Sequence, residues 1–331
     1  CIVGAGAAGI TLACELDAAG VPVLLLDAGP VRGRAEVSQD PYEGSSEGAH
    51  ATPRFFRRRG FGGTTAIWGG RCVPYDPIDF EAREHLGATG WPIAYAEVAR
   101  HYPKAMDYCD AGAFEFDARR AFSQPGDTIP GLESGGGVLT HEIERYSLPT
   151  NFGTRYRARL EASANVSVLG PAQVLRLVRD AGRGRIAALE CRAGDQGPVF
   201  RVEADRLLLA SGGLGNRHDN VGRYYTCHIE NFIGTVRPKR PGAAFHFEKT
   251  RDGVYARRKL TFDADTQRRE RLLNIAFRLH YPNVADAKHL SPVLSAVYLA
   301  RRTLIPEYRR ILQYGVGEAV QTSPVSAHLR N

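Results

Sequence analysis

The stretch CIVGAGAAGITLACELDAAGVPVLLLDAGP, from Cys1 to Pro30, decides the fold. It holds a G-x-G-x-x-G pattern whose glycines are Gly4, Gly6 and Gly9. An apolar run precedes the pattern, a helical spacing of apolar residues follows it, and a second apolar run comes next. The order predicts a strand–helix–strand unit, with the glycines at the turn into the helix.

Such a unit is typical of dinucleotide-binding domains. Gly4 allows the tight turn, Gly6 lets a pyrophosphate approach the backbone, and Gly9 lets the helix pack closely on the strand. Asp27 closes the second strand, where its carboxylate can accept hydrogen bonds from ribose hydroxyls and would repel the 2′-phosphate of NADP. The pattern does not separate FAD from NAD, and a glycine-rich turn in an unrelated α/β protein is the alternative.

Composition limits the remaining possibilities. The 331 residues predict two domains, and 43% hydrophobic with 24% charged residues is typical of globular proteins. The net charge of +7 comes from scattered arginines without a lysine-rich tail, which disfavours nucleic acid as a partner. No apolar run reaches the length of about 20 residues that a membrane span needs. Six cysteines without a C-x-x-C pair predict reduced thiols, no metal site and a cytoplasmic location.

A second glycine cluster, GFGGTTAIWGG from Gly60 to Gly70, is here called the glycine block. Glycine loses more conformational freedom on folding than any other residue, so a cluster of them has a local cost. The block therefore indicates backbone that turns sharply or lies against something flat or charged. A tight loop that packs only on the protein is the alternative.

Coarser patterns organise the rest of the chain. Residues 91–109 predict a turn and one helix, 150–163 a helix capped by Thr150 or Asn151, and 291–305 a buried amphipathic helix.

Three short apolar stretches between residues 166 and 211 predict a β-meander that leads back to the parallel sheet. The first of them, 166–180, is predicted as one strand. After Gly222 the pattern changes to longer strands, among them GVYARRKLTF at 253–262.

Several motifs together resemble the glucose–methanol–choline family of FAD-dependent oxidoreductases. They are the Gly4–Gly9 pattern, RRRGFGGTTAIWGGRCVPYDPIDFE at 57–81, and the runs GWP, VSVLGPAQV, LLLASGG and NVGRYY. The likeness is greatest to the bacterial, sugar-oxidising branch related to pyranose oxidases, and it runs from Cys1 to about Tyr225 and more loosely to Asn331.

The resemblance implies an α/β fold with a Rossmann-like FAD-binding domain and a substrate domain built on an antiparallel sheet with helices. The implied domains are 1–93 with 146–222 for FAD, including the β-meander, 94–145 as an insertion of loops and helix, and 223–331 for substrate.

It also implies which residues contact the cofactor. The GGTT segment would meet the phosphates and ribityl chain, the WGG segment the flavin ring, and the Val174 backbone the adenine. Other family members carry asparagine where this chain has Trp68. The expected contacts are Gly4, Gly6, Gly9, Asp27, Arg59, Gly62, Gly63, Thr64, Thr65, Trp68, Gly69, Gly70, Val174, Ala210 and Gly212. Pyranose oxidases link FAD to a histidine within this block, and since none stands here we expect non-covalent FAD.

The implied reaction oxidises an alcohol group of a sugar, glycoside or cyclitol to a ketone or aldehyde. A hydride passes to the flavin, a histidine takes the hydroxyl proton, and O2 or another acceptor takes the electrons. That histidine belongs to a C-terminal segment that we expect beyond Asn331, so no catalytic residue is assigned. The histidines weighed as weaker candidates are His228, His280, His289 and His328.

Two further expectations concern continuity: the first strand begins before Cys1, and a crossover segment is missing near Gly213. The alternatives are an inactive nucleotide-binding flavoprotein module and an NAD-dependent dehydrogenase. The sequence does not choose oxidase over dehydrogenase, and it leaves the oligomeric state open.

Overall fold

The computed structural model describes most of the chain. The described residues are 1–32, 36–37, 58–87, 89–124, 126–148, 150–180, 185–210, 234, 236, 238–280, 284–289, 291–305 and 325–330. The position near Gly213, where we expected a crossover segment to be missing, lies outside them.

Two compact units divide the chain. The first is Cys1–Cys72, Tyr102–Ala113 and Tyr146–Tyr225, and the second is Val73–His101, Phe114–Arg145 and Thr226–Asn331. Residues 73–93, which we expected with the first domain, belong to the second unit.

The described strands and helices are short. In chain order the strands are β1 Ile2–Val3, β2 Val23–Leu26, β3 Glu36–Val37, β4 Arg58–Arg59, β5 Arg71–Cys72, β6 Val138–Tyr146, β7 Val166–Leu169, β8 Ala172–Arg179, β9 Ile186–Ala193, β10 Val199–Glu203, β11 Leu208–Leu209, β12 Glu248–Lys249, β13 Tyr255–Phe262 and β14 Ala276–Phe277. The α-helices are α1 Ala7–Ala18, α2 Tyr95–Ala99, α3 Tyr102–Cys109, α4 Ala118–Ala121, α5 Phe152–Glu161, α6 Ala264–Arg269, α7 Pro292–Leu304 and α8 Val325–His328. Short 3₁₀ turns cover Gly63–Ala66, Pro77–Phe80, Glu84–Leu86 and Ala287–His289.

A parallel sheet in the order β11–β1–β2–β7 forms the centre of the first unit. Ile2 of β1 pairs with Leu25 on one side and Leu208 on the other. Helix α1 connects β1 to β2, so the strand–helix–strand unit predicted from the glycine pattern is confirmed. The α/β fold class is confirmed with it, because separate antiparallel sheets accompany the parallel one.

Helix α1 packs its small and apolar face on this sheet. Ile10, Ala13 and Cys14 are fully buried, together with Phe152 and Leu160 of α5. Removing each large apolar side chain of this cluster from water contributes about 1.5–3 kcal/mol. This core fixes the height of α1 above the sheet and therefore the position of its first turn.

The strand predicted over 166–180 is in fact two strands. The cis bond Gly170–Pro171 separates β7, which joins the parallel sheet, from β8, which pairs antiparallel with β9. Gly170 lies so close to the neighbouring backbone that a Cβ there would stand 2.7 Å from the Gly29 oxygen. The predicted meander is confirmed over β8, β9 and β10, and β11 returns beside β1.

The helix predicted over 91–109 is also interrupted. It forms α2 and α3, with Pro103 in the first turn of α3. Proline has no N–H to donate to the preceding turn, which explains why α2 does not continue. The cap prediction for α5 is confirmed at Asn151, whose side chain accepts the Thr154 N–H at 3.3 Å.

The second unit contains an antiparallel sheet around β13. Strands β12 and β14 pair antiparallel with β13, and β6 lies next to it in the sheet order. The strand predicted at 253–262 is confirmed as β13. Helix α7 forms where an amphipathic helix was predicted, but only Ser295 and Tyr298 of it are buried. No helix in the described part of the chain has the length and apolar character of a membrane span.

Candidate functional site

The Gly4–Gly9 turn, here called the nucleotide turn, requires glycine at Gly4 and Gly9 for reasons of backbone conformation and packing. Gly4 has φ +103° and donates its N–H to the Leu26 carbonyl at 2.7 Å. A Cβ on Gly9 would lie 1.9 Å from the Gly4 oxygen, so the helix can approach the strand only with glycine here. A Cβ on Gly6, in contrast, would meet nothing within 4 Å. The turn is therefore tightly packed where Gly9 meets Gly4, and it leaves open space next to Gly6.

Helix α1 presents its N-terminus at this open space. Gly6 precedes the helix and no side chain caps it. The first N–H with a helical acceptor is that of Ile10, which donates to the Gly6 carbonyl at 2.9 Å. The N–H groups of Ala7 and Ala8 belong to the first turn of the helix, where backbone N–H groups have no carbonyl acceptor within the helix. Amides and helix dipole together favour an anion, so these residues fit the pyrophosphate of a dinucleotide.

Asp27 connects three segments of backbone at the end of β2. Its side chain is buried, with Oδ2 accepting the Ala5 N–H at 2.8 Å. Its Oδ1 accepts the N–H groups of Gly29 and Gly60, both at 2.8 Å. Hydrogen bonds to a carboxylate are stronger than those between neutral groups. Asp27 thus holds the nucleotide turn, the chain after β2 and the glycine block together, and its bond to a ribose stays a prediction.

The glycine block lies directly on the nucleotide turn. Gly62 donates its N–H to the Ala5 carbonyl at 2.8 Å, and a Cβ on Gly63 would stand 3.0 Å from the Gly6 Cα. Both residues have positive φ, +102° for Gly62 and +52° for Gly63. The two glycine-rich segments therefore form one continuous backbone surface.

Part of the block is glycine for reasons of protein packing. A Cβ on Gly62 would lie 2.6 Å from the Gly153 nitrogen at the start of α5. Gly153 in turn would place a Cβ 2.1 Å from the Phe61 oxygen. The block and α5 thus meet backbone to backbone, as in the alternative of a loop packed on the protein. Gly153 was missed at the sequence level, and its only signal was its place in the first turn of a capped helix.

Thr64 and Thr65, predicted as a pair, point to different environments. The Thr65 hydroxyl is buried, donates to the Gly62 carbonyl at 2.6 Å and accepts the Phe152 N–H at 3.1 Å. Its proton is therefore held by the protein. Thr64 is exposed, as is Gly69, where a Cβ would meet nothing within 4 Å. Thr64, Ile67 and Gly69 are the exposed members of the block.

Trp68 is fixed by the protein on two sides. Its indole N–H donates to the Thr150 carbonyl at 3.0 Å, and its ring meets Phe152 edge-on at 6.4 Å. Gly70, with φ +72°, approaches Ser147 so closely that a Cβ would lie 2.9 Å from the Ser147 oxygen. These contacts set the end of the block before β5 begins.

Arg59 makes protein contacts at the other end of the block. Its guanidinium donates to the Ala28 carbonyl at 3.2 Å and pairs with Asp195 at 3.3 Å, and its side chain is 14% exposed. A bond from Arg59 to a pyrophosphate stays a prediction, and it would have to form while the guanidinium also contacts Ala28 and Asp195.

The remaining predicted contacts lie on the strands around the sheet. Val174 is half-buried on β8, and Ala210 donates its N–H to the Val3 carbonyl at 2.8 Å beside the nucleotide turn. Gly212 and His228 lie outside the described residues.

A framework of polar contacts holds α1 in place. Glu15 on α1 pairs with Lys104 and accepts a hydrogen bond from the Tyr108 hydroxyl, both on α3. Lys104, more than Tyr108, holds the pKa of Glu15 below its usual range. The Tyr156 hydroxyl of α5 donates to the Tyr108 carbonyl at 2.6 Å. Helices α3 and α5 thereby limit the movement of α1.

One of the histidines considered for catalysis, His328, has surroundings that suit a structural role. His328, in the second unit, is 2% exposed and stacks on Tyr298 with ring centroids 4.0 Å apart. Its Nε2 donates to the Ala285 carbonyl at 3.0 Å, and its Nδ1 shares a hydrogen bond with Ser295 Oγ at 3.2 Å. A ring held on both nitrogens and covered by an aromatic face is suited to packing.

A cleft of about 590 Å³ opens in the first unit beside β7. It lies where β2 and β7 end, and its walls include Pro30, Arg32, Val168 and Leu160. Ligands of open α/β sheets bind outside the carboxyl ends of the strands. None of the predicted cofactor contacts lines this cleft, so the cleft is separate from the predicted site.

One comparison with known proteins concerns the nucleotide turn directly. A family model described as "NAD(P)-binding Rossmann-like domain" matches residues 2–51, which include that turn and Asp27. No curated protein matches the sequence significantly.

Two solved structures resemble part of the chain. One is pyridoxine 4-oxidase from Mesorbium loti, at 22% identity and a TM-score of 0.39, covering 64% of this chain and 49% of that one. Another is a fungal aryl-alcohol oxidase, at 17% identity and a TM-score of 0.36, covering 64% and 45%. The chain thus spans about half the length of either protein. At these TM-scores the likenesses carry no argument about activity.

Proposed function

We propose that the protein is an FAD-dependent oxidoreductase of the glucose–methanol–choline type that oxidises an alcohol group. The observation that carries the proposal is the contact of the glycine block with the nucleotide turn, with Gly63 lying against Gly6. A nucleotide turn alone serves many cofactors. A second glycine-rich surface continuous with it extends the site beyond the pyrophosphate, as the long FAD molecule requires.

In this proposal the chain's own groups divide the work. The Ala7 and Ala8 amides bind the pyrophosphate, and the exposed Thr64 hydroxyl donates to the ribityl chain or a phosphate. The open backbone at Gly69 lies against the flavin ring. FAD, when bound, supplies the acceptor for the hydride from the alcohol carbon. We further propose that the FAD-binding domain lies within residues 1–93 and 146–222, without residues 73–93 where they belong to the second unit, and that residues 223–331 belong to the substrate domain.

The cofactor is tested by isolating the protein and recording its absorption spectrum. The protein is then denatured in acid and the released compound identified by chromatography. FAD in the supernatant supports non-covalent binding. A flavin that remains on the precipitated protein contradicts non-covalent attachment. If the preparation contains no flavin and also shows no saturable uptake of added FAD, the proposal itself is contradicted.

The description of the matching family model favours NAD as a second candidate cofactor. Thermal unfolding of the protein after removal of bound compounds distinguishes FAD from NAD. We expect added FAD to raise the thermal unfolding midpoint and NAD to leave it unchanged, because only FAD would use the glycine block. Stabilisation by NAD alone would favour the dehydrogenase alternative.

The substrate class is proposed as a sugar, glycoside or cyclitol. Anaerobic mixing of the flavin-loaded full-length protein with each class, and with aromatic alcohols, tests this by loss of the oxidised flavin spectrum. Reduction by aromatic alcohols alone would contradict the sugar class. Readmitting O2 and following reoxidation distinguishes an oxidase from a dehydrogenase.

A further inference from the structure

Helix α7 turns polar side chains toward the protein and apolar ones toward solvent. Its buried residues are Ser295 and Tyr298. His328 of α8 contacts both, since its ring stacks on Tyr298 and its Nδ1 shares a hydrogen bond with Ser295 Oγ. A surface helix ordinarily buries its apolar stripe and exposes its polar face. The arrangement of α7 is the reverse.

An apolar stripe, here called the outer stripe, runs along the exposed side of α7. Its members follow one another at spacings of four, three and four residues: Val293, Val297, Ala300 and Leu304. At about 100° per residue they fall within an arc of about 60°, opposite Ser295 and Tyr298. Val293 is 70% exposed and Leu304 is 78% exposed, while Val297 is half-buried. Contiguous apolar side chains on a surface mark an interaction site, whereas single ones do not.

The charges near the outer stripe are almost all positive. Arg301 is exposed and follows Val297 by one helical turn, so it lies beside the stripe. Arg330, just after α8, is exposed as well. Among the described residues 284–289, 291–305 and 325–330, Asp286 is the only acidic one. An apolar face flanked by arginines is typical of helices that lie on anionic lipid surfaces.

We propose that α7 is an interfacial helix that docks the protein on an anionic membrane surface. The side chains of the outer stripe enter the boundary between headgroups and acyl chains, and the Arg301 guanidinium contacts the anionic headgroups. The helix lies in the plane of the membrane. Its 13 residues extend over about 20 Å, whereas the hydrocarbon core of a bilayer is about 30 Å thick.

A second copy of the chain fits the outer stripe less well. From Val293 to Leu304 the stripe is about 16 Å long and about 10 Å wide, far below the roughly 800 Å² per partner of a stable protein interface. Two copies meeting through α7 would also offer Arg301 no carboxylate, because α7 contains none. A lipid surface requires no matching shape and supplies the negative charge. The inference uses the second unit alone and does not rest on the proposed function.

The test uses the purified full-length protein and sedimented vesicles of phosphatidylcholine, with or without phosphatidylserine. We expect strong binding to the vesicles that contain phosphatidylserine and weaker binding to phosphatidylcholine alone. Added salt should reduce the difference, because it screens the charges at the surface. Equal binding to both kinds of vesicle at low salt, or no binding to either, would overturn the proposal.

Two double variants examine the outer stripe. Val293→Ser with Leu304→Ser should lower the partition coefficient onto anionic vesicles by about tenfold or more, because two exposed apolar side chains no longer leave water. The matched control is Val199→Ser with Leu273→Ser, at positions that are 53% and 52% exposed and lie outside α7. The control should bind like the parent. Equal binding by the two double variants would contradict a role of the stripe.

Molecular mass in solution distinguishes a membrane from a second copy. Circular dichroism first establishes that both double variants are folded, and light scattering then gives the mass of each protein without vesicles. We expect the same mass for the parent and both variants. A parent dimer that only Val293→Ser with Leu304→Ser dissociates, in a protein that does not bind vesicles, would assign the outer stripe to a second copy and overturn the proposal.

Discussion

The Asp27 carboxylate accepts a hydrogen bond from the amide of Gly60, a residue 33 positions farther along the chain. Through the same carboxylate, Ala5 and Gly29 are bound as well. An acidic residue expected to recognise a ribose is therefore also the connector that assembles the surface on which a dinucleotide would lie. The structural part of this double role can be tested by substituting Asp27.

Asp27→Asn should lower the free energy of unfolding by about 1–3 kcal/mol, because the amide nitrogen of asparagine cannot accept an N–H and at least one bond is lost. Asp195→Asn is the control, because Asp195 has a side chain that is 76% exposed and should change stability by less than about 0.5 kcal/mol. Urea denaturation measures both. Equal stabilities of the two variants would mean that the Asp27 contacts do not support the fold.

Gly63→Ala and Gly69→Ala separate the packed and open parts of the glycine block. At Gly63 the alanine Cβ meets the Gly6 backbone at 3.0 Å with φ at +52°, which should cost about 1–3 kcal/mol. At Gly69 the Cβ enters open space, so the apoprotein should be nearly as stable as the parent. Thermal unfolding without cofactor checks this order. If Gly69→Ala were the more damaging of the two, the described packing of the block would be wrong.

Lys259 and Glu142 form a partly buried ion pair in the second unit, with Nζ and Oε2 3.1 Å apart. Glu142→Gln should destabilise the protein by up to about 3 kcal/mol, since it leaves the Lys259 ammonium in a site that is only 9% exposed without this counter-charge. The double variant Glu142→Gln with Lys259→Met should recover most of that loss. A double-mutant cycle in urea measures the coupling, and strictly additive effects would contradict it.

Acid should weaken the second unit through His289. Burial, and secondarily the neighbouring His328, lower the pKa of His289 below its usual 6.5. His289 is therefore protonated near pH 6.5 in the unfolded chain but only at lower pH in the folded chain. The free energy of unfolding consequently falls as the pH drops below about 6.5.

The variant His289→Asn isolates this effect. It offers an oxygen to the Ser291 N–H that His289 Nδ1 now accepts at 2.9 Å, but it does not titrate. Unfolding midpoints measured between about pH 8 and pH 5 should fall more steeply for the parent than for the variant. Parallel curves would show that His289 does not contribute.

The sequence predicted those features that local patterns determine. The nucleotide turn, the β1–α1–β2 order and the Asn151 cap follow from glycine spacing, apolar periodicity and side-chain capping, all of which act over a few residues. Helix α5 and strand β13 have patterns of the same kind, and they too were predicted.

The features that were missed depend on contacts between distant segments. The approach of Gly62 to Gly153 is invisible until α5 is placed beside the block. The apolar run at 166–180 is divided before Pro171 because only its first part, β7, pairs with β2 in the parallel sheet. The burial of Lys259 in β13 runs against its polarity and is explained by its partner Glu142 on β6.

Strand β1 lies between β2 and β11, with Ile2 paired to Leu25 on one side and Leu208 on the other. During synthesis the first pairing becomes available early, but the second must wait until residue 208 has left the ribosome. At about 5–20 residues per second, that interval is roughly 10–40 s. For this time one edge of the nascent sheet stays open to other chains, so co-expressed chaperones that cover this edge should raise the yield of folded protein.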